Sequence, residues 1–454
     1  MSVILRLKDF TFSYPEAVAP VLNRLNLEVE TGRCYCLTGP TGSGKTTLAL
    51  ALKGLLSDGS YDGKIDMPGQ TDGNSMAVGM VLQDPEVQLL TSTVGAEVAF
   101  GLENLCVSPA EMPQRVTAAL QAVGLHKPLD YPVDKLSMGQ KYRLLIAALL
   151  VMEPQLLILD EPGAQLDPDG LELLRNSLRH LKDSGVAILL CEHRPDELLA
   201  EIDIFWQLDN VGSLQQGRYQ KDTAASTIQP PEPVCEAGEV LLQVENLAFL
   251  GVDDQPVWTD VSFSVGRGSR YALTGLNGTG KTTLLRCVAG FLSPQQGQVR
   301  ILGDAPDASR LRGRLGCLFQ NPQKQIFETT VRAEIAFPLK RFGLKTPEIE
   351  SRVAEALAAC AIGHLADQSP HKLSYGQKHL VALASVLAPR PELLLLDDPL
   401  AGLDDFHSLA VMELLIHYNR QHGTTLLWTS HDPEAWSGWA DQVLHLERGR
   451  LVAR

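Results

Sequence analysis

Lys45 and Lys281 each complete a Gly-x-x-x-x-Gly-Lys-Thr run, Gly39-Pro40-Thr41-Gly42-Ser43-Gly44-Lys45-Thr46-Thr47 and Gly275-Leu276-Asn277-Gly278-Thr279-Gly280-Lys281-Thr282-Thr283. Residue types at this spacing suit one kind of chemistry, the gripping of a polyphosphate. The glycines let backbone N–H groups turn toward phosphate oxygens, and a helix that begins there points its positive end at the same anion. Lys45 and Lys281 are expected to reach the terminal phosphates. Thr46 and Thr282 are expected to offer a hydroxyl to Mg²⁺, with Thr47 and Thr283 beside them. A lone match could be a glycine-rich turn with a stray lysine. Two matches, each after a strand-like run and before a helical one, exclude that reading.

A carboxylate pattern follows at matched distance. Leu156–Asp160 and Leu393-Leu394-Leu395-Leu396-Asp397 each put four apolar residues before an acid, 115 and 116 residues after the lysines. The apolar four read as a buried strand whose end presents Asp160 or Asp397 to Mg²⁺. The next residue, Glu161 or Asp398, stands where it can orient and polarise an attacking water. His193 and His431 follow 33 and 34 residues after the two aspartates, at the ends of apolar strands expected over 186–191 and 425–428.

These runs belong to a chain written twice, with an offset of 236 to 238 residues between copies. Leu136-Ser137-Met138-Gly139-Gln140-Lys141 recurs as Leu373-Ser374-Tyr375-Gly376-Gln377-Lys378. The expected organisation is two homologous domains, 1–222 and 239–454, joined by a polar, proline-rich linker over 223–238. Strand-like runs (34–38 and 271–274) enter the glycine loops, and helical runs (47–55 and 283–291) leave them. Strands alternating with helices predict an α/β fold with a largely parallel sheet.

Composition sets bounds. The chain has 454 residues, 44% hydrophobic and 20% charged, with 39 basic and 54 acidic side chains for a net charge of −15. That balance argues against a phosphate backbone as main partner, so no nucleic acid is expected. Apolar runs such as 144–152 fall short of the roughly 18–20 residues that cross a bilayer. No export signal is expected from Met1-Ser2-Val3-Ile4-Leu5-Arg6, and eight cysteines without a C-x-x-C pair read as reduced thiols.

The Leu-Ser-x-Gly-Gln segments resemble the signature motif of ABC ATPases, and the resemblance covers both halves almost end to end. It implies two tandem P-loop NTPase domains, each a largely parallel sheet core with an antiparallel β subdomain and a helical signature subdomain. It implies ATP and Mg²⁺ as ligands and ATP hydrolysis coupled to transport. Gln83 and Gln320 match the Q-loop glutamine, Asp167 and Asp404 the D-loop aspartate, and His193 and His431 the switch histidine. The implied metal sets are Thr46, Asp160 and Gln83, and Thr282, Asp397 and Gln320. Ser137 with Gly139, and Ser374 with Gly376, are expected to open helices over 140–152 and 377–387, making a second anion site. In the family that site closes over nucleotide held by the opposite half. Two composite sites are therefore expected. One takes Lys45, Thr46, Gln83, Asp160, Glu161 and His193 with Ser374 and Gly376. The other takes Lys281, Thr282, Gln320, Asp397, Asp398 and His431 with Ser137 and Gly139.

Two departures make these sites unequal. Glutamate normally stands where Asp398 does, and one methylene fewer withdraws the carboxylate by roughly a bond length. Misplacement of about 1 Å can cost on the order of 10²-fold in rate. Tyr14, in Phe12-Ser13-Tyr14-Pro15, matches the family's adenine-stacking aromatic, whereas its counterpart is Leu250 or Gly251, beside Phe249. The Glu161 site is expected to hydrolyse ATP faster, the Asp398 site to bind it and turn over slowly.

Gln83-Asp84-Pro85-Glu86-Val87-Gln88-Leu89-Leu90 and Gln320-Asn321-Pro322-Gln323-Lys324-Gln325-Ile326-Phe327 resemble the corresponding run of energy-coupling-factor transporter ATPases, with Leu90 in place of the usual Phe. Thr93-Val94 and Thr330-Val331, with the acidic-apolar stretches after them, fit as well. That resemblance implies an importer of vitamins, their precursors, or cobalt and nickel ions, with the usual pair of ATPase chains fused. It implies that 83–104 and 320–337 face a transmembrane coupling subunit, and that specificity resides in a membrane-embedded substrate-binding subunit. The chain would lie on the cytoplasmic face of the membrane, touching it through partners only.

Two alternatives stand beside this. Soluble tandem ABC ATPases of ribosomes or chromosomes usually carry a charged helical spacer, an iron–sulfur cluster that Cys34 and Cys36 cannot build, or a long coiled coil. Sugar or peptide importer ATPases often append a C-terminal domain, whereas this sequence ends at Arg454 soon after its last strand. Trp428, Trp436 and Trp439 read as packing and surface residues, Cys34 and Cys36 as a buried strand face, and Arg310–Arg314 as a solvated loop.

Overall fold

A computed structural model describes the chain apart from residues 1, 16–18, 41, 57, 68–77, 83, 164–165, 167, 193–194, 210, 218, 220–238, 252–254, 277, 308, 402, 404, 431–436 and 454. It divides into two compact units, Met1–Asp222 and Thr223–Arg454. The expected linker, 223–238, lies outside the described residues.

The first unit runs β1 (Val3–Ser13), β2 (Leu22–Glu30), β3 (Cys34–Thr38), α1 (Lys45–Lys53), β4 (Ser60–Asp66), β5 (Val78–Val81), α2 (Val94–Asn104), α3 (Met112–Ala122), α4 (Met138–Leu150), β6 (Leu156–Asp160), α5 (Pro168–Asp183), β7 (Ala187–Cys191), β8 (Ile204–Leu208) and β9 (Leu214–Gly217). Strands β2-β1-β4 form an antiparallel sheet. A second sheet has the order β5-β6-β7-β3-β8-β9, parallel except for β9. The chain therefore supplies an antiparallel subdomain, a parallel core and, in α2–α4, a helical layer.

The second unit repeats this with β10 (Val240–Leu250), β11 (Pro256–Gly266), β12 (Arg270–Thr274), α6 (Lys281–Val288), β13 (Gln296–Ile301), β14 (Leu315–Leu318), α7 (Val331–Arg341), α8 (Thr346–Ala359), α9 (Tyr375–Leu387), β15 (Leu393–Leu396), α10 (Asp405–His422), β16 (Thr425–Ser430), β17 (Gln442–Glu447) and β18 (Arg450–Ala453). Its antiparallel strands β13-β10-β11 join β18-β17-β12-β16-β15-β14 through one parallel bridge, Asp260 to Arg450.

Unbroken apolar runs become these central strands because both faces are covered. Along β6, Leu156 and Ile158 pack with Phe12, Leu48 and Trp206, while Leu157 and Leu159 face Leu102, Leu144 and Leu178. Burying one such leucine contributes roughly 1.5–3 kcal/mol. Among the described residues no helix is long and apolar enough to cross a membrane.

Helix starts differ from the sequence reading by two residues. Gly44 and Gly280 cap α1 and α6 in the left-handed region, at φ 102° and 94°, so each helix begins at its lysine. Helices α4 and α9 likewise begin at Met138 and Tyr375, because Ser137 and Ser374 are the capping residues. Strand β16 extends to Ser430, two residues past the apolar run, and there the extra residues matter.

Candidate functional site

Strand β3 delivers the first glycine loop to α1, and β12 the second to α6. Gly39 turns the chain at φ 153°, where an added Cβ would lie 2.3 Å from the Leu208 carbonyl oxygen; at Gly275 the clash is 2.5 Å from that of Leu446. Only glycine fits so close an approach. The buried Lys45 ammonium donates to the carbonyls of Gly39 (2.9 Å) and Pro40 (3.0 Å). Lys281 does the same to Gly275 (2.6 Å) and Leu276 (2.9 Å). Each cation thus sits within its loop's curve, where a phosphate would meet it.

The helix threonines reach across to the strand-end acids. Thr46 donates to Asp160 at 3.0 Å and Thr282 to Asp397 at 2.9 Å. A hydroxyl and a carboxylate side by side are hard oxygen donors of the kind Mg²⁺ takes. Burial, then repulsion from Glu161, pushes Asp160 up to about 7, against the Thr46 hydrogen bond and the Lys45 charge. Burial raises Asp397 too, but hydrogen bonds from Thr282 and Thr429 oppose it.

Glu161 and Asp398 occupy the left-handed region, at φ 50° and 48°. The chain therefore leaves each strand in a sharp turn, a conformation costing a non-glycine residue on the order of 1–2 kcal/mol. What holds that turn differs between units. The Glu161 N–H donates to the Cys191 carbonyl (2.8 Å). The Asp398 N–H donates to the Thr429 hydroxyl (2.8 Å), which itself donates to Asp397 (2.9 Å). Cys191 and Thr429 hold the same strand position, opposite Leu37 and Leu273.

Ser137 and Ser374 carry matching capping boxes. Each hydroxyl accepts the N–H of Gln140 or Gln377 at 3.3 Å, and each glutamine side chain accepts the serine N–H at 3.1 Å. The serine O–H stays available to donate at the helix N-terminus, with Gly139 or Gly376 in the first turn. Behind them, Tyr142 and His379 share one helix position and are both buried. Burial drives His379 down to about 4, while the Pro399 backbone and the Asp398 charge pull the other way.

The stretch around 83–104 and 320–337 is clipped into shape by groups whose role the sequence did not reveal. Gln88 accepts the Leu82 N–H (2.7 Å) and donates to Met80 (3.0 Å); Gln325 does likewise with Phe319 (2.8 Å) and Cys317 (2.8 Å). The buried Glu97 carboxylate accepts the N–H groups of Leu90 and Thr91, and Glu334 those of Phe327 and Glu328. Recurrence of Gln and Glu at one offset was the available signal. The clips leave Val87, Leu90 and Phe327 at 61%, 67% and 57% exposure. Each segment is tied to its signature helix, by Lys141 to Glu86 at 2.7 Å in one unit and by the Tyr375 hydroxyl to the Gln320 carbonyl at 3.3 Å in the other.

Tyr14 is partly exposed, packs edge-on against Phe12, and lies 3.2 Å through its hydroxyl from Thr47. In the second unit Phe249 packs on Trp258 and Leu250 is exposed. Gln83, His193 and His431 lie outside the described residues, as do Asp167, Asp404 and Trp436. Cys34, Cys36, Trp428 and Trp439 are buried. The arginine strip is less free than expected: Leu311 is buried, and Arg310 and Arg314 pair with Asp304 (3.0 Å) and Glu392 (2.5 Å). A hollow of about 820 Å³, lined by Ser2, Arg115, Glu153 and His180 among others, involves none of the loop residues.

Comparison with known proteins adds a separate line. The family model described as ABC transporter matches residues 22–164 and 258–401. A Bacillus subtilis (strain 168) protein named for HMP/thiamine import, the ATP-binding protein YkoD, is 33% identical over 98% of this chain and 90% of its own length. A Methanosarcina mazei protein named as an ABC transporter ATP-binding protein is 31% identical over 100% of this chain and 89% of its own. The solved structure of cbiO1 from Clostridium perfringens, described as part of the ABC transporter complex cbiONQ, is 33% identical, covers 47% of this chain and 87% of that one, and has a TM-score of 0.45.

Proposed function

The chain belongs to the ABC transporter family as an ATP-binding subunit, an ATPase coupled to transport, and from that premise we propose that it is the fused ATPase of an energy-coupling-factor type importer. One observation carries the proposal: the same glutamine and glutamate clips in both units hold an apolar residue, Leu90 or Phe327, outward on the segment that resembles that class. A clipped loop that exposes apolar side chains suits a protein partner. We place there a transmembrane coupling subunit, working with a membrane-embedded substrate-binding subunit. The relative named for HMP/thiamine import makes those the first substrates to try.

In this reading the first unit does the chemistry. The loop N–H groups and Lys45 bind the phosphates, and Thr46 with Asp160 holds Mg²⁺, with Gln83 joining the set. Mg²⁺ held by these oxygens would supply positive charge against the phosphates. Glu161, aimed by its left-handed turn, orients the attacking water, and His193 meets the γ-phosphate. Lys281, Thr282, Asp397 and Gln320 bind a second nucleotide. Asp398, one methylene short, leaves it slowly hydrolysed beside His431. Tyr14 stacks on adenine in the first unit.

Gentle solubilisation of membranes and isolation of the chain tests the importer reading. Recovery with integral membrane proteins, lost when Leu90 and Phe327 are both changed to Asp, is the expected outcome. Recovery with ribosomes and no membrane protein would overturn it.

A further inference from the structure

Glu161 stands at one end of the turn Glu161-Pro162-Gly163, and both ends of that turn are tied to consecutive residues of one strand end. The Glu161 N–H donates to the Cys191 carbonyl at 2.8 Å, and the Gly163 N–H donates to the Glu192 carboxylate at 2.9 Å. Pro162 between them has no N–H to give. Glu192 is 5% exposed, and its own N–H is fixed to the Leu37 carbonyl at 3.1 Å, in the strand that feeds the glycine loop. The fit is close, since a Cβ added at Gly163 would lie 3.2 Å from the Glu192 oxygen.

Among the described residues the second unit shows no carboxylate clamp of this kind. Leu400 and Ser430 stand where Gly163 and Glu192 do, and the turn after Asp398 closes on itself through the Ala401 N–H to the Asp398 carbonyl at 3.1 Å. A serine side chain is too short to span the distance that Glu192 spans. A buried carboxylate is costly unless its hydrogen bonds are needed, and this one secures the far end of a turn whose near end is a strained acid.

We propose that Glu192 is a positioning residue for the first site, clamping the Glu161–Gly163 turn so that the Glu161 carboxylate keeps its aim. The proposal rests on the reading of Glu161 as the hydrolytic acid. Its action is through hydrogen-bond geometry, so a neutral acceptor of the same length serves as well as the carboxylate.

The test uses the full chain carrying Asp398→Asn, so that turnover reports the first site. Glu192→Ala and Glu192→Ser lower kcat about tenfold to a hundredfold, with KM for MgATP and the melting temperature nearly unchanged. Glu192→Gln restores kcat to within about threefold of the parent. Glu192→Ser, which copies the second unit, carries the test if the alanine variant does not fold. A kcat for the serine or alanine variant equal to the parent overturns the proposal, as does a glutamine variant as slow as alanine. Glu161→Gln in the same background separates the two levels. Full turnover there would sink the reading of Glu161 itself, whereas lost turnover with unaffected Glu192 variants sinks only the clamp.

Discussion

Strands β7 and β16 end at the same point of the repeated fold and do opposite things with it. In the first unit the strand end offers a backbone carbonyl and a long acid, Glu192, while Asp160 accepts a hydroxyl hydrogen bond from Thr46 on the helix. In the second it offers a hydroxyl, Thr429, that bonds the Asp397 carboxylate and the following N–H at once. One unit spends its strand end on holding the turn that carries the acid, the other on satisfying the carboxylate beside it. In the proposed function, that difference lets two copies with the same binding loop both hold nucleotide while dividing the hydrolytic work.

The comparison breaks most visibly at the acids. Glu161→Gln is expected to lower phosphate release at saturating MgATP by on the order of 10²–10³-fold, and Asp398→Asn by less than about threefold. Equal losses would erase the distinction.

Next in size is a pH effect confined to the second unit. Burial depresses the His379 pKa to about 4, whereas an unfolded histidine titrates near 6.5. The unfolded state therefore binds the proton first, so stability is full above 6.5 and is lost as pH falls toward 4. The loss amounts to about 3 kcal/mol. Tyr142 at the matching position has no such titration. In a Trp206→Phe background the remaining tryptophans all belong to the second unit, so urea unfolding followed by fluorescence isolates it. His379→Leu should flatten the pH dependence between 4 and 6.5.

Smaller again is the strand-end hydroxyl. Thr429→Val strands the Asp398 N–H and should cost the second unit about 1–3 kcal/mol in the same urea assay. The reciprocal Cys191→Thr should change the first unit by less. Smallest is the pair that ought to match: Ser137→Ala and Ser374→Ala each remove a cap worth about 1 kcal/mol. Unequal costs there would place an asymmetry in the signature helices as well.

Much of this was readable in the sequence because polyphosphate chemistry demands particular residue types at fixed spacing. The glycine loops, Thr46 with Asp160, Thr282 with Asp397, and the serine caps all emerge where their motifs lie. Helix starts were misplaced by two residues because capping depends on a backbone angle at Gly44 and Ser137, which apolar periodicity does not report. Thr429, Cys191 and Glu192 escaped notice for a different reason. Their roles depend on β7 lying between β6 and β3, and β16 between β15 and β12, so their partners are about 30 residues away in the chain. Glu97 and Glu334 lie in the acidic-apolar stretches after Thr93-Val94 and Thr330-Val331, but only folded do they become the clips behind Leu90 and Phe327.

The inequality of the two units is tested most directly by rapid-quench hydrolysis with the chain saturated at two ATP per molecule. The account predicts a fast phase that converts one ATP per chain, with the second remaining as ATP on a much slower phase. Two ATP converted at a single common rate would contradict it.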